Sequence, residues 1–451
     1  MKSILKFGII GFLFLLVLLN CFGDYANEFP MLNLFFGFCI VALFYSLNKI
    51  SFFLLIKFFI AYVWCICSLY YIENGNWISE QGVFGENIGA LPRYIFYMGI
   101  FLFSAYCYIA FKTNKMKNIT YTNNINFFEF VTKNLFILVV VLCVIIGALY
   151  GFPLLSGNTR FSFYQEIGHL DKTIFAMPIV AFMLGVLYSL KNEVKYFLYI
   201  FILICFLILF SDKFSGVFGI FVYFIMGFYL SKNAFNKSQN IGFDKKVLFF
   251  YFPILFILLL FIVSAGYVAM HGAEISELKD KILSRAFGLQ AHVWYGIDFN
   301  LIKNYTEFNP NIFWLHSDEP VQPAGLEYLM YEIANENFVD NMRNAGIRFT
   351  NGYPAIVLIS FGYFYSFFIL ILLGMVLGFF LHYIYQKIQL LQPCRLFVSL
   401  VFYNNIIINI FIMGEIYYIY KPLGWICASI ILVDIMFLKH KNFKFKGLKN
   451  G

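Results

Sequence analysis

The sequence predicts an all-α integral membrane protein with about twelve transmembrane helices and one large loop. Of its 451 residues, 61% are hydrophobic, 22% are aromatic and only 12% are charged, whereas soluble domains are about 45–50% apolar. Runs of about 20 mostly apolar residues, the length that crosses a bilayer, recur from Ile4 to Leu438. This composition excludes an ordinary soluble enzyme.

Apolar runs separated by polar loops locate the helices. We predict spans at about residues 4–22, 31–47, 51–72, 93–111, 135–150, 174–190, 196–211, 214–230, 247–269, 353–386, 396–414 and 422–438. The first run could instead be a cleaved signal, because Lys2 and Lys6 precede it. However, it is longer than the usual signal core of 7–15 residues, and Asn20 before Cys21 is not the small residue that a cleavage site needs. We therefore predict a retained helix.

The distribution of charge predicts the orientation. Lysine and arginine concentrate in the loops on the N-terminal side of the membrane and in the tail from Lys439 to Lys449, whereas most acids lie in the loops on the other side. Short loops rich in lysine and arginine remain in the cytoplasm, so both termini are predicted to be cytoplasmic. The net charge of +8 thus reflects topology and contact with membrane lipid, and we expect no nucleic acid partner.

Two charged residues fall inside predicted spans. Lys57 lies in the third span and Asp434 in the last. Because a charge at the centre of a bilayer costs at least about 2.5–3.5 kcal/mol, we place both residues at the cytoplasmic interface. The nine cysteines show no Cys-x-x-Cys pair and none lies in an outer loop, apart from Cys21 at a span end, so they are predicted to be buried packing residues.

One membrane domain, residues 1–451, is the simplest organisation, because no internal repeat or linker divides the chain. A loop of polar composition, residues 270–352, is inserted between the ninth and tenth spans on the outer side. Apolar spacings of three and four predict short helices over Ile275 to Leu289 and Gly325 to Asn335. Glycines four residues apart, which let helices approach closely, occur in two places. They are Gly147 with Gly151 and Gly374 with Gly378.

The outer side limits the chemistry that an enzyme could carry out there. Nucleotide sugars and ATP are confined to the cytoplasm, so a substrate must carry its own activation, as a lipid diphosphate does. The departing diphosphate needs a metal or cationic side chains to neutralise it. The outer loops have no Asp-x-Asp pair, so we expect neither a metal nor a cofactor. Arginine, which binds phosphate oxygens with two parallel hydrogen bonds, is the natural partner. The predicted outer arginines are Arg93, Arg160, Arg285, Arg343 and Arg348.

The densest group of functional residue types lies between Arg285 and Trp294. It combines Arg285, Gln290, His292 and Trp294 within ten residues. Trp294 could stack on a sugar ring, and His292 could take a proton from an attacking hydroxyl. Equally, this stretch could be a loop helix that packs Trp294 against the lipid interface while His292 is merely solvated.

Further candidates stand in the other outer turns. Arg160 and Arg348 lie in short turn-flanked segments, where each could bind phosphate or glycan or could anchor the chain at the interface. Lys213 lies in the short turn between spans seven and eight, where it could bind substrate or cap a helix. His169, His271 and His316 are weaker candidates.

Several short motifs resemble those of the Wzy-type O-antigen polymerases. They are Pro153-Leu154-Leu155-Ser156-Gly157 followed by Arg160-Phe161, then Lys213-Phe214-Ser215-Gly216, Gly288-Leu289-Gln290-Ala291-His292-Val293-Trp294, and Arg348-Phe349-Thr350 through Pro354. The predicted topology is also similar over nearly the whole chain. Arg285 and Gly296 stand at the Arg-x10-Gly spacing found in the outer loops of some members.

The resemblance implies a GT-C-like fold in the bacterial inner membrane and an inverting, metal-independent glycosyl transfer at the periplasmic face. The growing glycan on undecaprenyl diphosphate would be the donor, and a lipid-linked repeat unit would be the acceptor. Arg160, Arg285 and Arg348 would hold diphosphate or glycan, with His292 as the most plausible base. A chain-length regulator protein is an implied partner.

Two alternatives remain open. An O-antigen ligase would use the same donor with a different acceptor. A lipid-linked oligosaccharide flippase would also need many spans, but it would be expected to show two similar halves, short loops and charges inside the membrane.

Overall fold

A computed structural model describes residues 2–22, 30–78, 80–113, 124–156, 160–211, 214–235, 288–303, 308–314, 323–344 and 348–447. The predicted span at 247–269, the predicted helix over most of Ile275 to Leu289, and the candidates Lys213 and Arg285 lie outside these residues. The backbone of Arg160 is described but its side chain is not.

The described residues are almost entirely helical, which confirms the all-α membrane class. We number the α-helices in chain order. They are α1 Lys2–Phe22, α2 Pro30–Leu47, α3 Lys49–Leu54, α4 Ile56–Glu73, α5 Ala90–Thr113, α6 Ile125–Tyr150, α7 Pro153–Ser156, α8 Arg160–Ile167, α9 Asp171–Lys191, α10 Lys195–Leu209, α11 Phe214–Ala234, α12 His292–Lys303, α13 Leu326–Ile333, α14 Glu336–Asn344, α15 Ala355–Gln389, α16 Pro393–Phe402 and α17 Pro422–Gly447.

Eight helical stretches in the described residues are long and apolar enough to cross a membrane, and three shorter apolar ones accompany them. The predicted span 51–72 is interrupted at Leu55, between α3 and α4, and the side chain of Asn48 caps α3 by accepting the Ser51 N–H. The predicted span 396–414 begins as α16 but continues as π-helical turns at Tyr403–Ile407 and Asn409–Met413. These interruptions matter because both lie beside the cavity described below.

Glycines set the closest helix contacts. In the pairing of α9 with α11, a Cβ at Gly185 would strike the Phe224 carbonyl, and one at Gly227 would strike the Phe182 carbonyl. In the pairing of α5 with α15, Gly374 lies against the backbone of Phe101, so the spacing of Gly374 and Gly378 marks helix packing as predicted.

The other predicted glycine pair behaves differently. Gly147 faces the ring of Phe152, and Gly151 ends α6 with a positive φ of 76°. This pair shapes the turn after α6. It does not mediate contact with another helix.

Most of the connecting structure in the described residues lies at one end of the bundle, which we call the loop-bearing end. It includes a hairpin of β1 Trp77–Ile78 and β2 Val83–Phe84, the helices α7, α8 and α12 to α14, and three 3₁₀ turns at Gly168–Leu170, Pro310–Phe313 and Ile416–Tyr420. Helix α13 confirms the helix predicted within Gly325 to Asn335. Helix α15 is broken close to this end, where Gly362 has a φ of 69° and contacts the Phe308 ring.

Candidate functional site

A cavity of about 900 Å³ opens among helices α8, α9 and α11 and the π-helical turns. Its position follows from local sequence. Gly216 and Gly219 remove side chains from the face of α11, and Pro178 interrupts the hydrogen bonding of α9. Polar side chains line the cavity although it lies between apolar helices. The polar lining consists of Lys57, Tyr164, His169, Asp171, Lys172, Asn404, Asn405, Asn409, Tyr418 and Lys421. We call it the cationic cavity.

Lys57 lies at the inner part of this cavity, not at the cytoplasmic interface where the sequence had placed it. Its Nζ is 3.8 Å from the centroid of the Tyr223 ring, near the middle of α11. The Tyr223 hydroxyl donates a 2.7 Å hydrogen bond to Asn404 Oδ1. Among the described residues, Lys57 has no carboxylate partner. A lysine placed this deep with no carboxylate partner among the described residues is suited to binding an anion.

Three asparagines, Asn404, Asn405 and Asn409, line the cavity from the π-helical turns. Such widened turns occur frequently at functional sites. Asn405 Nδ2 donates to the Val401 carbonyl, and Asn409 Nδ2 donates to the Asn405 carbonyl. These bonds use the NH₂ groups within the helix and fix the orientation of both side chains at the cavity wall.

Basic groups also surround the outer part of the cavity. His169 and Lys172 are exposed beside the start of α9, and Lys421 Nζ lies 3.5 Å from the centroid of the Tyr418 ring. Asp171 is the acidic residue in the described lining, and its Oδ1 is buried without a hydrogen-bond partner among the described residues. The cavity therefore combines excess positive charge with two groups, His169 and Asp171, that can accept a proton.

Arg348 stands next to this outer part. Its Nη1 donates to Glu415 Oε1 at 2.5 Å and to the Tyr417 hydroxyl at 2.8 Å, and Tyr417 precedes the cavity-lining Tyr418. Burial raises the pKa of the Glu415 carboxyl, although Arg348 opposes this shift. Burial by itself would lower the pKa of Arg348, but Glu415 and Tyr417 outweigh it and hold that pKa above its ordinary value. The guanidinium is therefore a permanent cation.

Three glycines bring the segments of this region together. A Cβ at Gly352 would strike the Met413 carbonyl, one at Gly414 would strike the Gly352 backbone, and one at Gly325 would meet the Gly414 carbonyl. Gly325 and Gly414 also have positive φ values of 57° and 78°, which residues with a Cβ rarely adopt. This junction fixes Arg348 beside Glu415.

The residues around His292 form a buried anchor. His292 is 1% exposed, its Nδ1 is 2.8 Å from the Leu289 carbonyl, and its ring packs edge-on against Phe349. Burial lowers the pKa of His292, which favours the neutral imidazole. Asn351 Nδ2 donates hydrogen bonds to the Gln290 carbonyl at 2.9 Å and to Gln290 Oε1 at 3.0 Å. His292 and Gln290 lie outside the described lining of the cationic cavity.

Trp294 belongs to the same anchor. It is 1% exposed, its Nε1 donates a 3.0 Å hydrogen bond to the Ala90 carbonyl, and its ring contacts those of Tyr94 and Tyr97. Arg93, one of the five arginines, contributes as well. Its Nε and Nη2 bind the completely buried Asp298 carboxylate at 3.0 and 2.7 Å. These contacts hold α12 in place, and a sugar ring would need to displace them to reach Trp294.

The structure thus groups the predicted residues differently from the sequence. Arg348 stands near the cationic cavity, and Arg160 belongs to α8, whose Tyr164 lines it. His292, Gln290 and Trp294 lie together in the anchor. Sequence reasoning missed Lys57 and the three asparagines. The signal available was the run of amides, from Asn404 to Asn409, inside an otherwise apolar span.

Comparison with known families gives one match. Residues 319–426 match a family described as a family of unknown function (DUF6418). No curated protein and no solved structure matches the chain. The matched segment contains Arg348, the three-glycine junction, Glu415, the asparagines and Lys421, so it coincides with one wall of the cationic cavity and its surroundings.

Proposed function

We propose that this protein is a membrane glycosyltransferase of the O-antigen polymerase type, which joins undecaprenyl-diphosphate-linked repeat units at the periplasmic face of the inner membrane. The observation that carries the proposal is the cationic cavity, in which Lys57 has no carboxylate partner among the described residues. A diphosphate is the anion that suits several converging cations, and a lipid carrier would present it from within the membrane.

The proposed topology follows from this assignment. The loop-bearing end faces the periplasm, and both termini are cytoplasmic. The chain crosses the membrane about twelve times, with residues 247–269 as one of the spans, in a GT-C-like arrangement. Membrane lipid and a chain-length regulator protein are the proposed partners, beside the lipid-linked oligosaccharide.

The chemistry assigned to the cavity is an inverting displacement. An acceptor hydroxyl attacks the anomeric carbon of the donor sugar and a new glycosidic C–O bond forms. The C–O bond to the diphosphate breaks on the opposite face, and undecaprenyl diphosphate leaves with the bonding electron pair. Lys57, Lys172 and Lys421 stabilise the negative charge that develops on the leaving group.

The proton of the acceptor hydroxyl needs a group within the cavity. Histidine is the commonest general base, and His169 lines the cavity, with Asp171 two residues further along. We assign the proton transfer to His169 and a supporting role to Asp171. His292 was the base expected from the sequence, but it is buried and outside the described lining, so we assign it a positioning role through Phe349.

Three arginines complete the proposal. Arg348 Nη1 donates hydrogen bonds to Glu415 and Tyr417. We assign the exposed part of the guanidinium to binding the glycan or the diphosphate. Arg160 and Arg285 remain proposed phosphate or glycan ligands, as does Lys213, on the strength of the sequence motifs alone.

Gene deletion with complementation tests this function. A strain that lacks the polymerase should make lipopolysaccharide whose core carries a single repeat unit, visible as the loss of the ladder on a gel. Complementation by Lys57→Met should fail, whereas Lys112→Met should restore the ladder. Lys112 is the matched control because it also lies over a tyrosine ring, that of Tyr108, but outside the lining of the cavity.

The rival functions give different gels. Complete loss of O-antigen in the deletion strain would favour the ligase or the flippase, and a ladder of normal length would exclude all three. The flippase deserves this comparison because Lys57, a charge deep between membrane helices, is also what a transporter of anionic headgroups would use.

A further inference from the structure

A second, smaller cleft lies at the loop-bearing end and differs in character from the cationic cavity. Its volume is about 240 Å³, and it is enclosed by the β1–β2 hairpin, α12 and α13. Its polar lining consists of two carboxylates, Glu86 and Glu332, and two amides, Gln81 and Asn300, with Phe84 and Phe299 as aromatic walls. Neither lysine nor arginine occurs in its described lining. We call it the acidic cleft.

Gly296 lets the walls of the acidic cleft pack closely against α12. A Cβ at this position would lie 2.7 Å from Gln81 Nε2 and 2.7 Å from Ile333 Cγ2, closer than real Cβ contacts allow. The glycine therefore allows Gln81 of the hairpin and Ile333 of α13 to lie against one face of α12. Gly296 is also the glycine of the Arg-x10-Gly spacing in the sequence. The close contacts around it explain why a residue without a Cβ stands there.

The side chains of the acidic cleft suit a neutral sugar. Phe84 is 67% exposed, and its ring meets Trp77 in an edge-on pair with centroids 4.9 Å apart. An exposed aromatic face can stack on the C–H face of a pyranose, and carboxylates and amides accept and donate hydrogen bonds to its hydroxyls. A phosphate would be repelled by Glu86 and Glu332, so the ligand chemistry is opposite to that of the cationic cavity.

Helix α12 lies along the acidic cleft, and its first residue contacts the neighbour of Arg348. At its start, the His292 ring packs on Phe349, the neighbour of Arg348, and the His292 carbonyl accepts the Gln81 amide at 2.8 Å. Asn300, which lines the acidic cleft and donates to the Glu332 carbonyl at 2.8 Å, lies eight residues further along. At 1.5 Å per helical residue this is about 12 Å of α12, so the residues of the acidic cleft extend along most of this helix.

We propose that the acidic cleft is a glycan-binding subsite that holds neutral sugar residues, while the anionic end of the same class of substrate occupies the cationic cavity. The assignment of the cleft as the glycan subsite of the transferase rests on the proposed function. Binding of neutral oligosaccharide by the cleft can be tested independently of that function.

The test uses the full-length protein in lipid nanodiscs on an array of defined, phosphate-free oligosaccharides, with neutral glycans beside their sialylated counterparts. Wild-type protein should bind neutral glycans and should bind the sialylated ones more weakly. Phe84→Ala should weaken binding roughly five- to tenfold through loss of stacking, and Gly296→Val should abolish it by displacing Gln81 and Ile333, which line the cleft. Phe364→Ala, at an aromatic residue 71% exposed on α15, and Lys57→Met should bind as the wild type does.

Three results would overturn the proposal. They are no binding by the wild type, unchanged binding by both Phe84→Ala and Gly296→Val, and loss of binding in Lys57→Met with retention in the cleft variants. Phe84 is a surface residue, so its variant remains informative even where Gly296→Val does not fold. Failure of the proposed function would show elsewhere, as an unchanged lipopolysaccharide ladder in the deletion strain, and would leave the array result intact.

Discussion

Replacing Lys57 with methionine should remove function without weakening the fold. A lysine deep in a membrane costs at least about 2.5–3.5 kcal/mol, and the contact with the Tyr223 ring at 3.8 Å returns about 2 kcal/mol when desolvated. The difference leaves Lys57 unfavourable to stability by about 0.5–1.5 kcal/mol. A residue kept at such a cost is typical of a binding site.

Thermal unfolding of the purified variants in one detergent measures this directly. Lys57→Met should unfold at the same temperature as the wild type or at a higher one, yet it should not restore the lipopolysaccharide ladder. Arg93→Met is the contrasting variant, because it leaves the buried Asp298 without its main partner and should unfold at a clearly lower temperature. If Lys57→Met lost as much stability as Arg93→Met, Lys57 would be a structural residue and the reasoning would be refuted.

Three further predictions concern the scaffold around the sites. Arg93→Met and Asp298→Leu should each destabilise the protein by about 3–5 kcal/mol, whereas the double variant should recover most of that loss. Additive losses of unfolding free energy in the double variant would contradict this coupling. Because burial makes the pKa of Glu415 higher in the folded than in the unfolded chain, its contribution to stability should be present at low pH and should decline as the pH rises through the raised value. In the Glu415→Gln variant, the unfolding temperature should change less over this pH range than it does in the wild type. Identical pH profiles for the variant and the wild type would contradict the assignment. Gly227→Val should separate α11 from α9 and reduce the yield of folded protein on size-exclusion chromatography. A normal yield would contradict the close contact between these two helices.

Apolar composition and runs of about 20 apolar residues predicted the membrane class, because hydrophobicity is a local property of the sequence. The packing role of Gly374 and Gly378 and the helix at α13 were also predictable, since their spacing carries the signal. The interruption at Leu55 and the π-helical turns were not, because each depends on which helices surround it. In the sequence, residues 51–72 and 396–414 each predict one uninterrupted span.

The site was harder to predict than the fold, and His292 with Trp294 shows why. Imidazole and indole groups are equally suited to catalysis and to a buried anchor, and only tertiary contacts distinguish the two. Lys57 was assigned to the interface by its distance from a span end, but its neighbours across the bundle, Tyr223 and Asn404, are far away in sequence. Arg348 was selected from the sequence because a cation in a turn at a membrane boundary is a local feature, and its role stays a prediction.

Reconstitution is the most direct test of the central claim. The purified full-length protein is placed in liposomes with lipid-linked repeat units isolated from the deletion strain, and the glycans are separated by length after the reaction. We predict a ladder of glycans longer than one repeat, with release of undecaprenyl diphosphate and with no ladder from Lys57→Met. Repeat units that remain single while they move from one leaflet to the other would contradict the transferase and identify a transporter.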